Sequence, residues 1–239
     1  MFTVEILCVN IYIYIYHTYL YTEGNHMKKK LIEVLGIVAA FSLCVGVINQ
    51  GSTVVEAQVS QNLEKILEVD SDVLTSSNPF DYTENKYYEN IVNQGMDAAD
   101  VLTDGIIDKN EASLDGYVAA LAVEDITGVD VGKITGEDWE SADEFWDLWN
   151  EIIKDMPSYM EELANESTDF TQDIKDYGVF GEVFVKQMID DESGNISYVG
   201  TDIKYDRSKF DNKELESCIT SDDSEIEKAK SYLEKYMKN

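Results

Sequence analysis

The sequence has 239 residues with 48 Asp and Glu against 18 Lys and Arg, so its formal net charge is −30. Nucleic acid is a poor partner for such a chain, because phosphate binding needs clustered Lys and Arg. An anionic membrane surface also repels it. Apolar residues make up 44% of the chain and aromatic residues 11%, which excludes disorder over the whole length.

Residues 1–26 have the pattern of translated upstream DNA. The Ile-Tyr alternation over residues 11–16 is what an alternating A-T tract encodes. Residues 22–24 fit a purine-rich ribosome-binding stretch placed just before the codon of Met27. We therefore expect translation to start at Met27 and residues 1–26 to be a mis-annotated extension.

Residues 27–57 predict a secretory signal peptide. Met27 is followed by three lysines, then by a largely apolar run over residues 31–48 and a small-residue site that ends at Ala57. This order predicts export with cleavage after Ala57. The apolar run is close to the length of a membrane-spanning helix, so an uncleaved anchor formed by residues 31–48 is the alternative. The predicted location is secreted or extracytoplasmic, with membrane contact only through this segment if it is uncleaved.

The chain after Ala57 lacks several catalytic groups. Both histidines, His17 and His26, lie upstream, and Cys218 is the single cysteine that follows. This excludes histidine-activated nucleophiles and His-ligated zinc from the mature chain. We interpret Cys218 as a buried thiol rather than a nucleophile.

Three regions follow the signal peptide. Residues 58–77 predict an N-terminal helix, over 58–73, and a polar linker. Residues 78–155 predict a helical module, in which Gly95 marks a break that gives either two short helices or one kinked helix. Residues 156–239 predict a helix, a β-hairpin and a terminal helix, all packed on the module.

Helix starts are predicted by three S-x-x-E capping boxes, which begin at Ser141, Ser158 and Ser224. The first helix is expected to stop before Pro157, and the second near Gly178. Residues 179–189 and 196–205 are rich in β-branched and aromatic side chains and predict the hairpin, with its turn at 190–195. The predicted fold class is mainly α (α+β), a compact helical domain with a C-terminal hairpin and terminal helix.

Aromatic residues supply the candidate binding surface. Trp139, Trp146 and Trp149 recur at helical spacing, which favours the core, while exposed tryptophans would stack on sugar rings. Tyr87 is the better candidate for exposure, because its neighbour Tyr88 has a core position.

Carboxylates are so numerous that pairs suited to acid–base catalysis are guaranteed by chance, and residues 137–147 favour a solvated acidic face. No cofactor is expected, apart from calcium, which suits oxygen ligands outside the cell. The candidate calcium ligands are Asp190, Asp191 and Glu192, in a segment that also has ordinary turn chemistry.

Four motifs lie in the helical module: N-P-F-D-Y at 78–82, N-K-Y-Y-E-N-I-V-N-Q-G at 85–95, G-Y-V-A-A-L-A-V-E-D-I-T-G at 116–128, and Trp139 with Phe145. Together they resemble an uncharacterised helical module of secreted or membrane-attached proteins of low-GC Gram-positive bacteria, sometimes found beside sensor metallopeptidases of the antirepressor type. The resemblance covers residues 78–153 and implies HEAT-like helix pairs. No HExxH motif occurs, so it implies no peptidase activity.

The sequence therefore favours a non-enzymatic extracytoplasmic domain that binds an unknown protein or cell-surface ligand. The alternative is a small carboxylate-dependent glycan hydrolase, with or without the assistance of calcium.

Overall fold

Helices form most of the described chain. The computed structural model describes residues 54–68, 79–107 and 114–238. The first described helix, α1, includes residues 54–68. It is followed by α2 (Lys86–Val92), α3 (Met96–Ile107), α4 (Leu114–Thr127), α5 (Val131–Thr135), α6 (Ala142–Glu166), α7 (Phe170–Asp173), α8 (Gly178–Asp190), α9 (Asn212–Glu216) and α10 (Asp223–Tyr236). The predicted fold class, mainly helical with a C-terminal hairpin and a terminal helix, is confirmed.

The N-terminal helix includes residues 54–57, which precede the start that the sequence predicts at residue 58. Within residues 54–68, helix α1 buries Val59 and Ile66 in the core. Ala57, the predicted cleavage point, is an exposed residue of this helix. The predictions for residues 1–53, including the signal peptide and the anchor, fall outside the described residues, as does the linker.

The predicted break at Gly95 is confirmed. Helix α2 ends at Val92 and α3 begins at Met96, while Gly95 has a φ of +60°. A positive φ is readily adopted by glycine, which has no Cβ to clash with the backbone. The backbone N–H of Met96 donates to the Glu225 carboxylate at 3.0 Å, so α10 supplies a cap for α3.

The longest helix corrects two predictions. Helix α6 begins after Ser141 with the predicted capping box, but it runs to Glu166 with Pro157 inside it. The predicted stop at Pro157 and the predicted helix start at Ser158 are therefore wrong. Proline removes one helical hydrogen bond, but Pro157 and its neighbours Met156 and Met160 are buried, and that packing keeps the helix continuous.

The hairpin is present, but its first strand is not where the sequence predicts it. Residues 179–189 lie in α8, whose apolar side chains are buried on nearly all sides. The strands are β1 (Asn195–Tyr198) and β2 (Thr201–Lys204), paired antiparallel with Ile196 opposite Ile203. The turn lies at Val199 and Gly200, both with positive φ, rather than at 190–195.

The terminal helix also starts earlier than its predicted capping box. Asp222 is the N-cap of α10, and its carboxylate accepts the N–H groups of Ser224 and Glu225. Ile226, Ala229 and Leu233 are buried, as the helical spacing predicts.

One hydrophobic core joins these elements. It contains the buried faces of α1 to α6, of α8 and of α10, and the inward residues of the hairpin, and the described residues form one compact unit. Within the described residues, no helix has both the length and the apolar character needed to span a bilayer.

Candidate functional site

The four candidate aromatic residues differ in their burial. Trp146 and Trp149 are buried, so the core interpretation is confirmed for these two. Trp139 is half-buried, with its ring centroid 4.7 Å from that of Tyr117. Tyr87 is half-buried beneath the Lys86 ammonium, which lies 4.9 Å from the ring centroid.

Trp149 belongs to a buried hydrogen-bond chain. Its Nε1 donates to the Tyr232 hydroxyl at 2.9 Å. The Thr103 hydroxyl donates to the carbonyl of Ala99, so Tyr232 donates to Thr103 over 2.7 Å. Because each of these polar groups has a hydrogen-bond partner, the chain connects α3, α6 and α10 without leaving a buried polar group unpaired.

The candidate calcium residues lie where α8 ends and the chain turns into β1. Asp190 is the exposed last residue of α8, and Glu192 is exposed. The Asp191 carboxylate accepts from the Ser193 hydroxyl at 2.6 Å, from the Gly194 N–H at 2.6 Å and from the Tyr205 hydroxyl at 3.1 Å. These bonds, led by Ser193, lower the pKa of Asp191 to about 2.

Asp191 therefore stabilises the turn between α8 and β1 through these hydrogen bonds. In the described part of the chain, no three His, Cys, Asp or Glu side chains converge in a way that could hold a metal ion.

The acidic stretch at 137–147 leads into the solvent face of α6. Glu144 completes the capping box, while Asp143 and Asp147 are exposed. The same face continues with Glu151, Asp155 and Glu162, all exposed. Among the described residues, no ion pair involves any of these side chains.

A groove of about 370 Å³ lies between α3 and α10. Its two lysines are paired with carboxylates: Lys228 lies 2.9 Å from Asp97, and Lys235 lies 2.7 Å from both Asp100 and Asp104. The ionisable lining, Asp97, Asp100, Glu227, Lys228 and Lys235, has a net charge of −1, but both of its cations are already bound by carboxylates of the protein.

A second cavity, of about 330 Å³, lies where the end of α4 meets the start of α8 and the loop 217–221. We call it the Glu182 cleft, defined by Asp125, Lys175, Glu182, Cys218, Thr220 and Ser221. Its volume is within the range of small-ligand pockets.

Backbone contacts hold the cleft in shape. Val129 pairs with Tyr177 in an isolated antiparallel bridge, and the N–H of Asp130 donates to the carbonyl of Asp176 at 2.8 Å. Gly178 has a φ of +49°, and a Cβ there would lie 2.0 Å from the carbonyl oxygen of Thr127. Only glycine allows α4 and α8 to approach this closely.

Glu182 is the buried carboxylate of the cleft, 8% exposed. One carboxylate oxygen accepts from the Thr220 hydroxyl at 2.6 Å, and the other accepts from the Ser221 N–H at 2.9 Å. No Lys or Arg of the described chain lies within 4.0 Å of it, since none of the ion pairs there includes Glu182. Buried carboxylates are usually paired with a cation, whereas this one is held by two hydrogen bonds alone.

Cys218 lines the same cleft and is buried, as the sequence predicts. Burial raises the pKa of its thiol, while the Ser217 hydrogen bond and the charge of Lys175 act in the opposite direction. A thiol with a raised pKa is mostly protonated at neutral pH and is a poor nucleophile. It serves better as a chemical reporter of the cleft than as a catalytic group.

The sequence alone did not single out Glu182. It stands in the run V-F-G-E-V-F-V at 179–185, whose composition predicts a strand. A signal was present, because Glu182 is the one charged residue within that apolar run, and a charge that is buried with its neighbours needs a specific reason.

Comparisons with family models, with characterised proteins and with solved structures find no match to this chain.

Proposed function

We propose that this chain is a non-enzymatic extracytoplasmic module that binds a protein or cell-surface ligand in the Glu182 cleft. The observation that carries the proposal is the buried Glu182 carboxylate, which lines a cavity of about 330 Å³ without a cationic partner in the described chain. The basic, apolar and small-residue order of residues 27–57 supports the location.

Binding fits this cleft better than catalysis. Histidine is absent after residue 26, so no side chain of that type can activate the thiol or a hydroxyl there. Glu182 is already engaged by Thr220 and Ser221, which fixes its position. Fixed acceptors at the wall of a cavity are the usual means by which a binding site orients a ligand.

The test uses the full chain and fractionated cell-envelope material: wall glycan, surface protein and lipid. A ligand that binds the native state raises the melting temperature. We expect one fraction to do so in the wild type and to slow the alkylation of Cys218. The same fraction should have little effect on Glu182→Gln.

Glu162→Gln is the matched control, because it makes the same chemical change on the exposed face of α6. It should respond to the fraction as the wild type does. A shift of equal size in Glu182→Gln would place binding elsewhere and contradict the proposal. Release of soluble fragments from wall glycan would instead favour the glycan hydrolase.

A further inference from the structure

The Glu182 cleft combines acidic and apolar walls. Its lining includes two carboxylates, of Asp125 and Glu182, and one ammonium, of Lys175, so these three side chains carry a net charge of −1. Ile174 and Val179 supply buried apolar surface to the same cavity. A complementary ligand therefore has one positive charge and a short aliphatic part.

We propose that the Glu182 cleft binds a primary alkylammonium group, with Glu182 as the acceptor of its N–H donors and Ile174 and Val179 against its methylene groups. This inference rests on the proposed function and names the chemical class of its ligand.

An ammonium suits the acceptors better than the other common cations do. Each Glu182 oxygen already accepts one hydrogen bond, from Thr220 or from Ser221. Each oxygen therefore has fewer lone pairs left for a ligand. A guanidinium group binds a carboxylate best through two parallel hydrogen bonds to both oxygens, and that arrangement is disfavoured here. The three donors of an ammonium are a compact charge that separate single acceptors can satisfy, including the Thr220 hydroxyl oxygen.

A divalent metal ion is a weaker fit. Calcium takes six to eight oxygen ligands, several of them carboxylates. The cleft offers two carboxylates, and Asp125 already accepts a hydrogen bond from the Tyr88 hydroxyl at 2.6 Å. Lys175 also places a positive charge on the cavity wall, which disfavours a dication more than a monocation.

Lys175 separates this proposal from a purely structural role for Glu182. If Glu182 only fixes the loop 217–221, a change at Lys175 has no effect on ligand binding. If the cleft holds an ammonium, the Lys175 charge opposes it. Lys175→Gln should then tighten binding, and this variant leaves Glu182 and its hydrogen bonds in place.

The experiment titrates the full chain with two probes, n-butylammonium and the blocked peptide acetyl-Gly-Lys-Gly-amide, and follows Cys218 alkylation together with the melting temperature. The first probe represents a free amine and the second a lysine side chain of a protein. We expect saturable protection of Cys218 by at least one probe, and no protection by n-butanol or sodium butyrate. The preferred probe identifies the source of the ammonium.

Three variants decide the result. Glu182→Gln should weaken binding at least tenfold, Lys175→Gln should strengthen it severalfold, and the control Glu162→Gln should leave it within twofold. Wild-type affinity in both cleft variants would overturn the proposal. If Glu182→Gln fails to fold, an unchanged affinity in Lys175→Gln would overturn it alone.

The two proposals fail differently. If neither ammonium probe protects Cys218 but a cell-envelope fraction does so in a Glu182-dependent way, only the ligand class is wrong. If neither the probes nor the fractions bind, the binding function itself is contradicted.

Discussion

The solvent face of α6 and the C-terminal segment (residues 178–236) are both rich in carboxylates but use them in different ways. On α6, exposed residues such as Asp147, Glu151 and Asp155 make no ion pair with the described chain. In the C-terminal segment, Asp191 and Asp222 accept backbone N–H groups nearby, while Glu182 and Glu225 accept them from distant segments. The three carboxylates named on α6 are solvated, whereas the four named in the C-terminal segment bind backbone N–H groups. Net charge therefore says little about which carboxylates hold the fold.

The comparison predicts that substitutions in the C-terminal segment cost far more stability than matched substitutions outside it. The largest effect is expected at Gly178. Gly178→Ala places a Cβ 2.0 Å from the Thr127 carbonyl oxygen at a φ of +49°, so the backbone must move. We expect a loss of about 2–5 kcal/mol in the free energy of unfolding, measured by urea denaturation.

Gly136→Ala is the control for Gly178→Ala. Gly136 also has a positive φ, +72°, but a Cβ there meets no atom within 4 Å. The free energy of unfolding of Gly136→Ala should fall by about 1–2 kcal/mol, the cost of placing alanine in the left-handed conformation. Equal losses at the two glycines would show that the close approach of α4 and α8 contributes nothing.

The second effect concerns the buried hydrogen-bond chain from Trp149 through Tyr232 to Thr103. Tyr232→Phe removes the hydroxyl that accepts from Trp149 and donates to Thr103, so a buried N–H loses its partner. We expect a loss of about 1–3 kcal/mol in urea denaturation. Tyr159→Phe on α6 removes a hydroxyl that makes no hydrogen bond within the described residues, and it should change stability much less. The idea fails if the two phenylalanine variants are equally stable.

Helical periodicity predicted the part of the fold that local patterns determine. The spacing of apolar residues placed Trp146 and Trp149 in the core, and the S-x-x-E pattern marked the start of α6. It failed at Pro157, where burial of the flanking methionines overrides the local penalty of proline. These outcomes share a cause. A local sequence preference determines the secondary structure unless tertiary packing contributes more free energy than that preference.

The errors in residues 179–205 have the same origin. Helix α8 is buried on nearly all sides, so its sequence lacks the polar face that distinguishes a surface helix from a buried strand. The hairpin turn has Val199 at a φ of +49°, a conformation that β-branched residues rarely adopt and that no turn rule predicts. The Glu182 cleft was missed because it forms from segments that are distant in sequence.

The third prediction concerns the turn carboxylate Asp191. Hydrogen bonds from Ser193 and its neighbours lower its pKa to about 2, below the ordinary value of 3.8. Its contribution to stability is therefore complete above about pH 4 and is lost as the pH falls through about 2. Asp191→Asn should lower the melting temperature at pH 6, and its difference from the wild type should narrow as the pH approaches 2.

The control for Asp191→Asn is Asp147→Asn on the solvent face of α6. It makes the same chemical change at an exposed site without an ion pair, so its melting temperature should stay close to that of the wild type across this range. A constant difference between Asp191→Asn and the wild type from pH 6 to pH 2 would contradict the role of the Asp191 charge.

The smallest effect has the opposite sign and tests the comparison most directly. Asp147, Glu151 and Asp155 follow one another at a spacing of four residues, so their like charges face each other along α6. Replacing all three with Asn, Gln and Asn should stabilise the protein by about 0.4–1 kcal/mol at low salt, because two repulsive pairs are removed. The gain should shrink in 1 M salt, where screening acts over about 3 Å.

Asp222→Ala, which removes the N-cap of α10, should instead destabilise the protein by about 1 kcal/mol. Loss of stability in the α6 triple variant would mean that its carboxylates support the fold, and the distinction between the two regions would then disappear.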